Sequence, residues 1–245
     1  MFGDIRNSHG EKLDYRFHEA TSHADRRHVV VIGHGVTANL DRPWAEALAD
    51  GLAAAGIHAL RFSFSGNGDS EGDFRDCTVS KEVADLGRVL DAVEKGGFTA
   101  SYAGHSMGGA VGVIRTSSDA RIRHFVSLAG MVETDRFAKE EFGDQTPDSG
   151  FMWDDEDCPL SSAFVNDMAS IGSVLEKAAH INVPYLLVHG SEDDLVPIGE
   201  ARAILEVANE PKKLVELDGV DHVFNDAGRD QMAAAVVRWM SEQLS

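Results

Sequence analysis

Two serines in this 245-residue chain sit in the pattern G-x-S-x-G: Ser106 in "GHSMG" (104–108) and Ser70 in "GDSEG" (68–72). The pattern can present a serine hydroxyl as a nucleophile on a sharp turn between a strand and a helix. A hydroxyl alone is a weak nucleophile. It needs a base to take its proton and an acid to orient that base. Both residue types follow Ser106 in the chain. "YLLVHGSEDDLVP" (185–197) carries Glu192, Asp193 and Asp194, and "LVELDGVDHVF" (214–224) carries Asp221 and His222. Serine, then acid, then histidine suits acyl transfer through a covalent serine ester.

Such residues need elements that bring them to one place. "HVVVIGHG" (28–35), "IHALRFSF" (57–64), "TASYAG" (99–104), "IRHFVSLAG" (122–130), "VPYLLVHG" (183–190) and "KKLVEL" (212–217) read as short buried strands. Helical patterns alternate with them at 41–56, 78–97, 105–115, 198–208 and 231–244. Repeated β-α-β predicts a mostly parallel central sheet with helices on both faces. "KLDYRF" (12–17) alternates, and is expected to pair with the segment near Phe2 to Arg6 through the turn-type cluster "NSHG".

The setting separates the two serines. A strand runs into Ser106, a helix follows at once, and glycines stand at 104, 108 and 109. Small neighbours let the backbone turn tightly, and the Met107 amide falls at a helix N-terminus, where a developing oxyanion is stabilised. Ser70 lies beyond its strand, among Asp69, Glu71 and Asp73, whose charge opposes an oxyanion. It reads as a loop residue. The acidic cluster and His222 both follow strand ends, on the same sheet edge as Ser106, where open α/β sheets place their sites. The residues alone leave Glu192, Asp193 and Asp194 open as the orienting acid.

Four stretches carry a family resemblance: "GHGVTAN" (33–39), "RFSFSGNGDSEG" (61–72), "GHSMGG" (104–109), and "HGSEDDLVP" with "GVDHVF" (189–197 and 219–224). The chain resembles the serine hydrolases of the α/β-hydrolase superfamily. Within them it is most similar to compact bacterial esterases of the cinnamoyl/feruloyl esterase and serine-aminopeptidase-like groups. The resemblance implies one α/β-hydrolase domain over 1–245, with Ser106 as nucleophile, His222 as general base and Asp193 as orienting acid. Asp193 fits the family pattern G-x-x-D-x-x-V-P from Gly190 to Pro197. The resemblance also gives Val36 the second oxyanion amide beside Met107, and it implies no metal or organic cofactor. The expected reaction is hydrolysis of a small-molecule ester, with short acyl or phenolic-acid esters such as feruloyl esters as substrates. The same triad serves thioesterases, monoacylglycerol lipases and peptidases, and fold alone does not separate these. A non-catalytic binding protein on this scaffold is disfavoured, because every expected position is filled.

Residues 131–173 break the β-α rhythm. They hold 11 acidic residues and the aromatics Phe137, Phe142, Phe151, Trp153 and Phe164. Such an insertion is expected to be a lid whose aromatics receive an apolar acyl group, the alternative being a solvated insertion that only tops off the core. Net charge is −19, with 41 Asp+Glu against 22 Lys+Arg, which disfavours nucleic acid as a partner. No apolar run is long enough to span a membrane, and the first residues lack an apolar signal region, so a cytoplasmic location is expected. Cys77 and Cys158 are expected to be free thiols. His34, His105 and His189 are expected to be packed or hydrogen-bonded rather than extra bases. His18, His23 and His28 match no zinc spacing, and "DDED" (154–157) lacks the spacing of a calcium loop. Nothing in the sequence specifies an oligomeric state.

Overall fold

The computed structural model describes residues 2–22 and 27–245. Its core is a seven-stranded sheet in the order β3-β5-β4-β6-β7-β8-β9. These strands are β3 (Tyr15–His18), β4 (His28–Gly33), β5 (His58–Phe62), β6 (Thr99–His105), β7 (Ile122–Leu128), β8 (Tyr185–Gly190) and β9 (Lys212–Leu217). All neighbours pair parallel except β3, which runs antiparallel to β5 at the edge. The alternating polarity at 12–17 is therefore split. Lys12–Leu13 (β2) pairs with Ile5–Arg6 (β1) in a two-stranded ribbon, as expected, while Tyr15–His18 leaves to extend the main sheet. Period-two patterning marks a strand but does not name its partner.

Both faces of the sheet are covered, which explains why β4, β5 and β8 are buried along their whole length rather than on alternate residues. Along β4, Val30 and Ile32 join one core layer with Trp44, Leu48 and Leu52 of α1 (Pro43–Ala54) and with Val236 and Met240 of α8 (Ala227–Gln243). Val29 and Val31 join the other layer. That layer holds Leu86, Val89, Leu90 and Val93 of α2 (Val79–Lys95) and Ala110, Val111 and Val113 of α3 (Met107–Thr116). Thr78 starts α2 by accepting the Lys81 amide at 3.1 Å. α8 begins four residues before the pattern at 231 suggested. Gly228 in its first turn lies against Val220, where an added Cβ would stand 2.6 Å from Cγ1. A glycine at this position permits the close helix–loop packing.

The 131–173 region forms α4 (Thr134–Phe142), a 3-10 turn at Met152–Asp154 and α5 (Ser162–Ile171). A single isolated bridge joins Phe151 to Pro159. The short α6 (Leu175–Ala178) and α7 (Ile198–Val207) complete the helices.

Candidate active site

Ser106 sits between the last residue of β6 and the first of α3, at φ 53° and ψ −120°. A non-glycine residue in that region is strained by about 1–3 kcal/mol and persists only when its surroundings hold it. They do: the Ser106 amide donates to Leu128 O at 3.0 Å, and its carbonyl accepts from the amides of Gly109 and Met131 at 2.8 and 3.0 Å. Close approach also requires the small residues around it. A Cβ on Gly108 would stand 2.5 Å from His34 O.

The β4 loop closes on Ser106 from the other side. A Cβ on Gly35 would stand 2.8 Å from Ser106 Cβ and 3.2 Å from its Oγ. Val36 follows, and neither its amide nor that of Met107 is taken by a backbone carbonyl among the described residues. His34 anchors this loop. Its Nδ1–H donates to Gly35 O at 2.9 Å, while its Nε2 accepts the Phe64 amide at 3.0 Å. That pairing requires the neutral ring, and burial pushes its pKa down to about 4.

Asp193 and His222 come together from the loops after β8 and β9. His222 Nδ1 donates to Asp193 Oδ2 at 2.8 Å. Asp193 Oδ1 accepts the amides of Leu195 and Val196 at 3.1 and 2.8 Å. His189 Nε2–H is shared between Val196 O at 2.7 Å and Asp193 Oδ2 at 3.1 Å. Burial pushes the Asp193 carboxyl up, but the bonds from His189, His222 and the Val196 amide outweigh it and hold the group well below the ordinary carboxylate range. The neighbouring Glu192 and Asp194 are exposed, so of the three acids only Asp193 reaches the histidine. Asp221 turns instead to the Asn225 backbone and side-chain amides, at 2.9 and 2.7 Å. His105, one residue before the serine, is buried beneath His222. Its Nε2 donates to His222 O at 2.9 Å, and burial, helped by the nearby His222, pushes its pKa down to about 3.

Ser106 and His222 line one cavity of about 140 Å³. Their side chains are not hydrogen-bonded to each other in this structure, and such bonds often tighten only with substrate. Arg42, Trp44, Leu195 and Val223 also line the cavity; Leu195 and Val223 fall within the motif stretches, but residue type singled out none of the four as a site residue. The aromatics of 131–173 depart from expectation. Phe137, Phe142 and Phe164 are buried in the core and pack against one another. Among the 131–173 residues only Trp153 lines the cavity. Its backbone is left-handed at φ 50°, its ring packs edge-on against Phe142, and its Nε1 donates to Glu141 at 2.8 Å. Apolar residues at helical spacing filled the core first.

Ser70 is built into structure. Its Oγ accepts the Asp14 amide and donates to Ser63 O, both at 2.8 Å, tying the β3 segment to the end of β5. His18 bonds Asp50 and Arg61, and His28 bonds Thr99 and Ser101, while His23 lies outside the described residues. Cys77 and Cys158 are free and buried. Among the described residues no three His, Cys, Asp or Glu side chains converge as a metal site would require, and no helix is long and apolar enough to cross a membrane.

Comparison with known proteins finds relatives that share this fold. The structure of Est1E from Butyrivibrio proteoclasticus with ferulic acid bound superposes with a TM-score of 0.89, at 25% identity over 98% of both chains. The mouse alpha/beta hydrolase domain-containing protein 10 superposes with a TM-score of 0.80, at 18% identity over 99% of both chains. The palmitoyl-protein thioesterase ABHD10 of Bos taurus, a mitochondrial protein, is 25% identical over 181 residues. That match covers 66% of this chain and 56% of the bovine protein, so the chain spans little more than half the length of this curated relative. The model of the alpha/beta hydrolase family matches residues 29–238, from the first parallel strand to the last helix, and the chain belongs to that family.

Proposed function

We propose that this chain is a serine-dependent hydrolase of carboxylic esters working through an acyl-enzyme. The observation that carries this reading is the 2.8 Å bond from His222 to a buried Asp193, with His222 and the strained Ser106 facing one cavity. In this reading His222 takes the Ser106 proton as Oγ attacks the ester carbonyl. The amides of Val36 and Met107 receive the oxyanion. His222 then protonates the departing alcohol, and water, activated by the same ring, releases the acid. Asp193, held ionised, keeps the His222 proton on Nδ1 and leaves Nε2 free to act as base. Residues 131–173 act as a lid that reaches the cavity through Trp153.

Aryl or phenolic-acid esters are the favoured substrates, supported by the likeness to the ferulate-bound Est1E along nearly the whole chain. The bovine relative's name favours a second reading, a thioesterase with the same triad. A fluorophosphonate probe tests the nucleophile: labelling is expected in the wild type and lost in Ser106→Ala. No labelling of the wild type, or labelling that survives in the variant, refutes the assignment. A panel of p-nitrophenyl esters, methyl ferulate, acyl-CoA and aminoacyl amides separates the substrate classes. Turnover of acyl-CoA with none of the oxygen esters would replace the first reading by the second.

A further inference from the structure

A second cavity, of about 220 Å³, adjoins the first and shares Arg42, Trp44 and Val223 with it. It adds Arg229 together with Phe224 and Asn225, which follow His222 in the chain. Two arginines thus face one groove beside the candidate base, in a chain of net charge −19. Neither forms an ion pair among the described residues. Asp41 and Glu46, the acids flanking Arg42 in sequence, are drawn instead to Arg61, at 3.3 and 3.4 Å. Asp221 is engaged with Asn225. Arg42 keeps only a backbone partner, Thr37 O at 3.0 Å. Long-range repulsion by the acidic surface disfavours anionic ligands, so unpaired cations at one rim of the site mark where an anion gains most. A guanidinium suits oxyanions because it presents paired donors to carboxylate or phosphate.

We propose that Arg42 and Arg229 form a leaving-group subsite that binds a carboxylate or phosphate carried by the alcohol or thiol half of the substrate. The assignment to that half follows from position. The groove lies against the His222 loop, the side from which the departing oxygen or sulfur takes its proton. The subsite rests on the hydrolase reading above: water cleaves the acyl bond, the acid leaves as one product and the anionic alcohol or thiol as the other.

The test compares three acetyl esters that differ only in the leaving group: 4-acetoxybenzoate, 4-acetoxyphenyl phosphate and the neutral 4-acetoxybenzamide. Each kcat/KM is divided by the ester's rate of alkaline hydrolysis, which removes intrinsic leaving-group ability. The wild type is expected to favour at least one anion over the amide by about tenfold, the ratio that a 1.4 kcal/mol contact gives. The better of the two anions distinguishes a carboxylate from a phosphate. Arg229→Gln is expected to bring the ratio close to one and Arg229→Lys to restore part of it. Arg42 also braces the Val36 loop through Thr37, so Arg229 is the cleaner position. Parity in the wild type, or an anion preference that survives Arg229→Gln, overturns the proposal. A binding arm needs no turnover. Calorimetry on the Ser106→Ala chain is expected to show 4-hydroxybenzoate or 4-hydroxyphenyl phosphate binding more tightly than 4-hydroxybenzamide, with the difference lost in Ser106→Ala/Arg229→Gln. Equal binding of all three overturns the subsite even where Ser106 proves to be the nucleophile. A difference in binding upholds it even where ester turnover fails.

Discussion

Asp193 and His222, 29 residues apart in sequence, meet through a 2.8 Å hydrogen bond between Oδ2 and Nδ1. The same Oδ2 also receives His189 Nε2–H at 3.1 Å, so the carboxylate is held from two rings at once. Asp193→Asn presents an amide in place of the acceptor and disfavours the Nδ1–H tautomer of His222. The expected loss is about 10³- to 10⁴-fold in kcat on a neutral aryl ester, with KM little changed. Asp194→Asn, at an exposed site, is the control and is expected to stay near wild type. Equal losses in the two variants would show that Asp193 does not orient the base.

Gly35 yields a second prediction from its approach to Ser106. Gly35→Ala places a methyl 2.8 Å from Ser106 Cβ, and either the serine or the Val36 loop must move. Loss of one oxyanion donor is worth about 10²- to 10³-fold in kcat. Steady-state kinetics are expected to show a fall of that order, while the far-ultraviolet circular dichroism is retained. Wild-type kcat in Gly35→Ala would mean that the Val36 amide is not used.

Ser70 gives the opposite pattern. Removing its hydroxyl leaves the buried Ser63 carbonyl and the Asp14 amide without their partner. Ser70→Ala is therefore expected to lose about 1–3 kcal/mol of stability in urea unfolding. Its folded fraction should keep full fluorophosphonate labelling. Loss of labelling without loss of stability would reverse the roles of the two serines.

Much of this was legible in the sequence because buried parallel strands read as apolar β-branched runs and the sharp turn at Ser106 needs glycines. The alternatives around Asp193 were not separable from residue type. Burial of Asp193 against exposure of Glu192 and Asp194 comes from how the loop folds over β8. The roles of the insertion's aromatics were not separable for a similar reason. Helical spacing identified Phe137, Phe142 and Phe164 as apolar, but not that they fill the core while only Trp153 among the 131–173 residues reaches the cavity. Arg42 and Arg229 lie 187 positions apart, and only the packing of α1 on α8 brings their helix starts to one groove.

The buried histidines beneath the site predict how the fold responds to acid. In the unfolded chain His34 and His105 titrate near 6.5. In the folded chain burial holds them neutral down to about 4 and about 3. Between pH 6.5 and 4, therefore, the unfolded chain binds more protons, and acidification favours it. The stability these neutral rings contribute is present above pH 6.5 and declines as pH falls, by about 2 kcal/mol per ring between pH 7 and 5. Burial of Glu82 and Glu200 raises their carboxyl pKa values and acts in the opposite direction, stabilising the fold as acid is added. The informative quantity is accordingly a difference between two proteins. His105→Gln keeps a donor for His222 O but has no ring to protonate. Urea unfolding at pH 7 and pH 5 is expected to show a shallower loss in this variant than in the wild type, by about one ring's share. Parallel losses in the two would mean that His105 does not remain neutral in the folded chain.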